Sequence, residues 1–279
     1  MSLVGLIRIT RPANAVFAGI ASVVAYLIAT GMLVPAVLLL FAIVALITAA
    51  GNVINDYFDI EIDRVNRPDR PIPSGTVTPR AARAYAVTLF LAGLFLCFFT
   101  SPLCMAIAII NSVLLALYAA WLKRTLLLGN IAVAYLSGSM FIFGAALAGT
   151  DAIIRVIPFA VMTFFAMLAR ELVKDAEDVE GDRASGAVTL PIRSGIRMTV
   201  VIALLCGILA AASSLIPVLT WGAWYLAGIL VVDGILLAGC IRAIRCRTPR
   251  EIIASKASAL LKGGMFVSLV VFVLAAVLL

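Results

Sequence analysis

The chain contains no histidine among its 279 residues. That excludes imidazole acid–base chemistry and histidine-ligated zinc or haem. Cysteine is sparse: Cys97, Cys104, Cys206 and Cys240 fall within apolar runs, Cys246 lies in a loop, and no Cys-x-x-Cys occurs. An odd number without paired spacing indicates neither a disulfide framework nor a thiolate metal site, so these read as packing residues. Charge is scarce as well, at 13% of residues, and acid is scarcer than base, with 14 Asp and Glu against 21 Lys and Arg. What is abundant is hydrocarbon. The chain is 64% hydrophobic, and its mean hydropathy of +1.18 is that of a polytopic membrane protein.

A membrane crossing needs about 20 consecutive apolar residues. Nine segments qualify, roughly 13–34, 36–56, 83–101, 103–122, 129–149, 153–171, 198–217, 220–241 and 263–279. Runs of this length are helices and not barrel strands. The expected fold is therefore an all-α bundle of nine transmembrane helices. With the N-terminus inside, the inner segments are 1–12, 57–82, 122–128, 171–197 and 242–262. Within a residue or two of those bounds they hold every Lys and Arg except Arg155. That bias is the positive-inside rule, and a missed helix would scramble it. The expected location is the cell membrane, with the basic face and the chemistry on the cytoplasmic side and the C-terminus outside. Short basic loops between spans face anionic lipid or anionic substrate, and nucleic acid is not expected as a partner. Nothing in the sequence sets an oligomeric state.

Acid is concentrated where it is least expected. NDYFDIEIDR (Asn55 to Arg64) and KDAEDVEGDR (Lys174 to Arg183) share the pattern x-Asp-x-x-Asp-x-Glu-x-Asp-Arg. Of all the acidic residues, only Asp151, Asp233 and Glu251 lie away from these two segments. The first copy is followed by RPIPSG (Arg70 to Gly75), the second by LPIRSG (Leu190 to Gly195). One copy ends the second span and the other the sixth, so an even number of crossings separates them and both emerge on one side. A single domain over 1–279 is expected, with related halves of about 1–128 and 129–262 and a final helix at 263–279. Internal repeats of this kind place sites at the interface of the halves.

On regular helices, Asn55, Asp59 and Asp63 fall at i, i+4, i+8, with Asn52 one turn earlier. Asp175, Asp178 and Asp182 fall at i, i+3, i+7. Each set forms one stripe, while Asp56 and Glu61 point elsewhere. Aligned carboxylates near helix C-termini oppose the dipole and each other. A divalent cation removes that conflict, and oxygen-only donors select a hard ion, Mg²⁺ above all. Two such stripes clamp a diphosphate, and Arg64, Arg67, Arg70, Lys123, Arg124, Lys174 and Arg183 complete the anion site. A lone acidic cluster at a helix end is ordinarily a solvated patch; two copies at matched spacing default to function. One rival, a cation-coupled transporter with acidic ion sites, stays open on this pattern. Another, a lipid transferase of the CDP-alcohol type, requires Asp-Gly after the first acidic pair, where this chain has Asp59-Ile60.

Asn55-x-x-x-Asp59-x-x-x-Asp63 with its RP-x-RPIPSG loop, together with Asp175-x-x-Asp178-x-x-x-Asp182, resembles the two aspartate-rich motifs of the UbiA superfamily of intramembrane prenyltransferases. The resemblance covers essentially the whole chain. It implies a helical bundle around a central cavity and Mg²⁺-dependent transfer of a prenyl group from an isoprenyl diphosphate. Asp59, Asp63, Asp178 and Asp182 take the catalytic roles on this resemblance. Tyr118 and Lys123 resemble the Tyr/Lys pair that follows the fourth helix, at a spacing of five. The stretch RELVKDAEDVEGDRASGAVTLPIRSG is most similar to the archaeal ether-lipid branch. That implies a geranylgeranyl diphosphate donor and a lipid-phosphate acceptor, the free hydroxyl of geranylgeranylglyceryl phosphate. Aromatic quinone precursors and chlorins are the alternative acceptors. Elsewhere, Asp233 in the eighth span is expected to pair with a hydroxyl or amide of a neighbouring helix. Ser137, Gly138 and Ser139 read as small-residue helix contacts, and Trp221 and Trp224 as an interfacial belt.

Overall fold

The computed structural model describes residues 2–184 and 186–278. Thirteen α-helices follow one another among them: α1 (Leu3–Ile9), α2 (Pro12–Thr30), α3 (Val37–Phe58), α4 (Ile60–Asn66), α5 (Pro79–Cys97), α6 (Pro102–Ala120), α7 (Leu128–Ala146), α8 (Thr150–Ala184), α9 (Leu190–Ser194), α10 (Ile196–Ser214), α11 (Val218–Ile244), α12 (Pro249–Ser255) and α13 (Ala257–Leu278). Among the described residues there is no strand, and nine helical segments are long and apolar enough to cross a membrane. Their number is the one the apolar runs and the basic residues require.

Helix ends are set by caps and not by hydropathy, which explains where the sequence spans drift. The first crossing ends at Thr30, because Gly31 takes the left-handed conformation (φ 71°) and its N–H returns to the Leu27 carbonyl at 2.7 Å. The third begins at Pro79, earlier than the apolar run suggests, because Thr78 caps the Ala81 N–H and Pro79 occupies the first helical position. Ser101 and Pro102 start α6 in the same way. The sixth crossing shows the largest difference. Its apolar part stops near residue 171, yet α8 runs on to Ala184 and carries the second acidic motif entire.

The chain packs into two compact units, Met1–Leu122 with Ile142–Ile153, and Lys123–Phe141 with Ile154–Leu279. In the first, Ile9, Val53, Ile72, Val77, Ala86 and Leu89 are buried together. That cluster ties α1, α3 and α5 to the turn after Arg70. Gly144 lets the end of α7 lie against α2, since a Cβ there would sit 2.1 Å from the Ser22 carbonyl oxygen. Small residues at such crossings let backbones approach where lipid supplies no hydrophobic drive.

In the second unit Gly138 plays the same part between α7 and α8, where an added Cβ would meet the Ala160 oxygen at 2.6 Å. Phe141, Phe159, Phe272, Trp221 and Tyr225 form an aromatic cluster, with Phe159 and Phe272 centroids 4.9 Å apart and edge-on. Trp221 therefore departs from the expected interfacial belt. It packs 5.1 Å from both Phe159 and Tyr225, because the non-helical Gly222 (φ 69°, ψ −158°) turns the chain there. Trp224, 81% exposed, keeps the outward position. Asp233 is buried and accepts from the Ser214 hydroxyl at 2.7 Å, while the Tyr225 hydroxyl donates to the Ser214 carbonyl at 3.0 Å. The expected hydroxyl partner is thus Ser214, on α10.

Candidate active site

The two acidic segments share a sequence pattern but not a backbone. The first is split. α3 stops at Phe58, Asp59 sits in the bridge region (φ −93°, ψ 7°), and α4 resumes at Ile60. The expected continuous stripe of Asn52, Asn55, Asp59 and Asp63 is therefore not formed. Hydrogen bonds still cross the break, Asp59 N–H to the Asn55 carbonyl at 3.0 Å and Asp63 N–H to the Asp59 carbonyl at 2.8 Å. Helix propensity does not account for the difference, since the second copy stays helical with Val179 and Gly181 where the first has Ile60 and Ile62.

The polar residues around the split are held by different partners. The Asn55 amide donates to Asp59 Oδ2 at 2.9 Å, so these two share one face. Asn52 instead donates to the Thr10 carbonyl at 2.9 Å. Asp63 is buried and accepts from Arg70 at 2.6 Å. Arg70 also reaches Asp56 at 3.2 Å, and Arg11 donates to the same Asp56 oxygen. Two buried carboxylates and two guanidiniums thus form one neutral network at the junction of α2, α3, α4 and the turn after Arg67. Arg11 holds its place with a left-handed backbone (φ 51°) unusual for a side chain of its size.

That network fixes the Pro-rich turn. The turn is further held by Val77 N–H to the Pro71 carbonyl at 2.9 Å and by Ser2 N–H to the Thr76 carbonyl at 3.1 Å. Arg8 bridges to Asp69 at 2.6 Å on the surface. Such exposed pairs contribute about 0–1 kcal/mol. Arg64 pairs with Glu61 one turn away, also exposed, and Arg67 is exposed. Tyr118 is half-buried on the last turn of α6.

The second segment is an unbroken helix. Asp175, Asp178 and Asp182 keep the expected spacing on α8, with Asp175 and Asp182 half-buried and Asp178 exposed. The Asn130 amide, near the start of α7, donates to Asp175 Oδ2 at 2.8 Å. Glu177 points elsewhere and accepts from the Ser258 hydroxyl of α13 at 2.9 Å. Arg170 pairs with its neighbour Glu171. Lys174 is half-buried beside Asp175, while Arg183 is exposed past Asp182. Lys123 and Arg124 form a short turn before α7, pinned where the Arg124 carbonyl accepts from the Val188 N–H at 3.0 Å.

Asp56, Arg11 and Asn130 are the residues that helical spacing alone misses. Their partners lie on other helices, so no local period signals them. The only hint was a polar side chain at the mouth of an apolar run. Among the described residues no three His, Cys, Asp or Glu side chains converge on one point. The donors on offer are carboxylate and amide oxygens in ones and twos. That number suits Mg²⁺, which takes one or two protein carboxylates and fills its octahedron with water and phosphate oxygens. It does not suit zinc, which asks for three or four nitrogen or sulfur ligands.

The sequence matches the model of the UbiA prenyltransferase family over residues 16–277. It is 59% identical to the digeranylgeranylglyceryl phosphate synthase of Methanoregula boonei over 279 residues, 100% of both chains. To the synthase of the same name from Methanopyrus kandleri it is 41% identical, covering 95% of this chain and 97% of that one. A solved structure of digeranylgeranylglyceryl phosphate synthase superposes with a TM-score of 0.84 at 34% identity, covering 99% of each chain. A UbiA homologue from Archaeoglobus fulgidus, solved with GPP and Mg²⁺, has the same fold at TM-score 0.66 and 17% identity, covering 94% of this chain and 99% of that one.

Proposed function

The chain belongs to the UbiA prenyltransferase family, and we propose that it transfers a geranylgeranyl group from geranylgeranyl diphosphate to the free hydroxyl of geranylgeranylglyceryl phosphate. The product carries the second ether bond of an archaeal membrane lipid. The observation that carries this choice of acceptor is full-length identity of 59% to a digeranylgeranylglyceryl phosphate synthase. The chain is a multi-pass membrane protein, and its orientation is inferred from charge. Its basic segments and both acidic motifs lie on the cytoplasmic side, with the N-terminus inside and the C-terminus outside.

The chemistry divides between a polar end and an oily one. Asn55 and Asp59 from the first segment, and Asp178 and Asp182 from the second, hold the cation-bound diphosphate. Asp63 and Asp175 flank them, and Asn52 steadies α3 against Thr10. Lys123, Arg124 and Lys174 face the phosphate charge, with Arg64 and Arg67 guarding the approach and Tyr118 lining the prenyl side. Arg70 acts from beneath, through Asp63. Bound Mg²⁺ supplies neutralisation of the charge that develops on the departing diphosphate. The allylic carbon–oxygen bond breaks and its electron pair leaves with the diphosphate. The acceptor hydroxyl oxygen donates a pair to the allylic carbon, forming the ether. Its proton passes to a motif carboxylate or to the released diphosphate. Water must be kept from the allylic centre, and apolar helix faces lining the prenyl tail do that.

The acceptor assay tests this. Purified protein in lipid nanodiscs receives labelled geranylgeranyl diphosphate and, separately, geranylgeranylglyceryl phosphate, 4-hydroxybenzoate or a chlorin. Labelled ether lipid is expected with the first acceptor and no product with the other two. Product with 4-hydroxybenzoate and none with the glyceryl phosphate would sink the acceptor assignment while leaving the family intact.

A further inference from the structure

The two motifs repeat at a constant offset: Asn55 corresponds to Lys174, Asp56 to Asp175, Asp59 to Asp178 and Asp63 to Asp182. Carried back along the chain, the same offset takes Arg11 to Asn130. Each of these two residues holds its motif from the start of an earlier helix. Arg11 donates to Asp56 across a separation of 45 residues, and Asn130 donates to Asp175 at 2.8 Å across the same separation of 45. Each sits at the start of the first membrane helix of its half, α2 or α7. In each case the target is the second residue of the ten-residue motif.

A shared contact at matched positions is not what chance packing produces. The residue types differ and the backbones differ, since one motif is broken at Asp59 and the other is continuous. The hydrogen bond between the same two positions survives both changes. In the second half the chemistry also fixes the direction. The Asn130 amide nitrogen faces Asp175 Oδ2 at 2.8 Å, so the amide donates and the carboxylate oxygen accepts. One oxygen of Asp175 is thereby occupied, as Asp56 is occupied by Arg11 and Arg70.

We infer that Arg11 and Asn130 are one device in two chemical forms, a clasp from the first helix of each half that seizes the motif's anchor aspartate. Asp56 and Asp175 are the anchors. Asp59 and Asp178, one turn further on, are the presented carboxylates, aimed at the ligand by the clasp. Asn130 is then a positioning residue for binding of the metal and diphosphate, acting through Asp175. The inference rests on the metal–diphosphate reading above. The first half takes the charged form because Asp56 and Asp63 are both buried and need balancing cations. At Asp175 a neutral amide takes one carboxylate oxygen without cancelling the charge that the cation needs.

The test uses the full chain in nanodiscs, with Mn²⁺ as the spin-active probe and inorganic diphosphate as its co-ligand. Bound Mn²⁺ is measured by electron paramagnetic resonance, alongside the thermal unfolding midpoint. Asn130→Leu keeps the volume and removes the donor, while Asn130→Arg installs the first half's clasp in the second. Loss of an outer partner of a metal-binding carboxylate weakens metal affinity by about 10–100-fold. Asn130→Leu is therefore expected to weaken Mn²⁺ binding at least about tenfold with an unchanged midpoint, and Asn130→Arg to recover most of it. Wild-type affinity in Asn130→Leu would overturn the inference. So would a collapse of the midpoint in both variants, which would make Asn130 a residue of the fold alone. If wild-type protein binds no Mn²⁺ even with diphosphate, the parent reading fails instead, and the two failures are distinct.

Discussion

Asp178→Ala is expected to lower prenyl transfer by about a hundredfold to a thousandfold and to leave the protein folded, inserted and equally heat-stable. Removing one group that stabilises transition-state charge typically costs about 10²–10³ in rate. Asp178 is exposed on the last turns of α8, and among the described residues it has no ion-pair partner, so the fold does not lean on it. Alanine there is also a better helix former than aspartate. Asp59→Ala follows the same course, because Asp59 lies at the break between α3 and α4 with its side chain on the Asn55 amide. The check is initial rate per folded molecule, with the thermal midpoint measured on the same sample. A loss of rate that tracks a loss of folded protein would move either residue from chemistry to structure.

Asp56→Ala gives the opposite signature. Regular helical spacing points Asp56 away from its neighbours and predicts a mild effect. The structure buries it at 4% exposure between Arg11 and Arg70. Taking one partner out of a buried ionic network leaves uncompensated charge and costs about 3–5 kcal/mol. That is a large share of the roughly 5–15 kcal/mol by which folded domains are stable. The expected result is a sharp drop in the thermal midpoint and in yield, with near-normal activity in whatever fraction stays folded. Removing Arg11 as well should restore part of the stability, because the double variant no longer strands that charge. A folded, heat-stable and inactive Asp56→Ala would place Asp56 on the ligand instead.

Asp56 and Asp59, three residues apart, show where sequence reasoning stops. The number of crossings was readable because hydrocarbon thickness and charge bias act on whole segments. Helix ends at Thr30 and Pro79 were not, because a left-handed glycine and a capping threonine decide them one residue at a time. The acidic repeat announced a site through its doubled pattern. It could not reveal that one copy breaks at Asp59, since the acid spacing is identical in the two copies and the second stays helical through Val179 and Gly181. Nor could spacing reveal the grip of Arg11 on Asp56 or of Asn130 on Asp175, each from 45 residues away. Trp221 illustrates the same limit: its place beside Trp224 in sequence says interface, and the turn at Gly222 puts it in an aromatic cluster.

The most direct measurement is the metal dependence of product formation by the wild-type protein. Labelled geranylgeranyl diphosphate and geranylgeranylglyceryl phosphate are incubated with nanodisc protein, first with a chelator and then after Mg²⁺ is restored. Ether lipid and free diphosphate should appear together only when Mg²⁺ is present, in equal amounts, and vanish again on chelation. Undiminished product in the chelator would contradict a cation held between carboxylates. Cation flux across proteoliposomes without any consumption of the prenyl diphosphate would contradict a prenyltransferase site altogether.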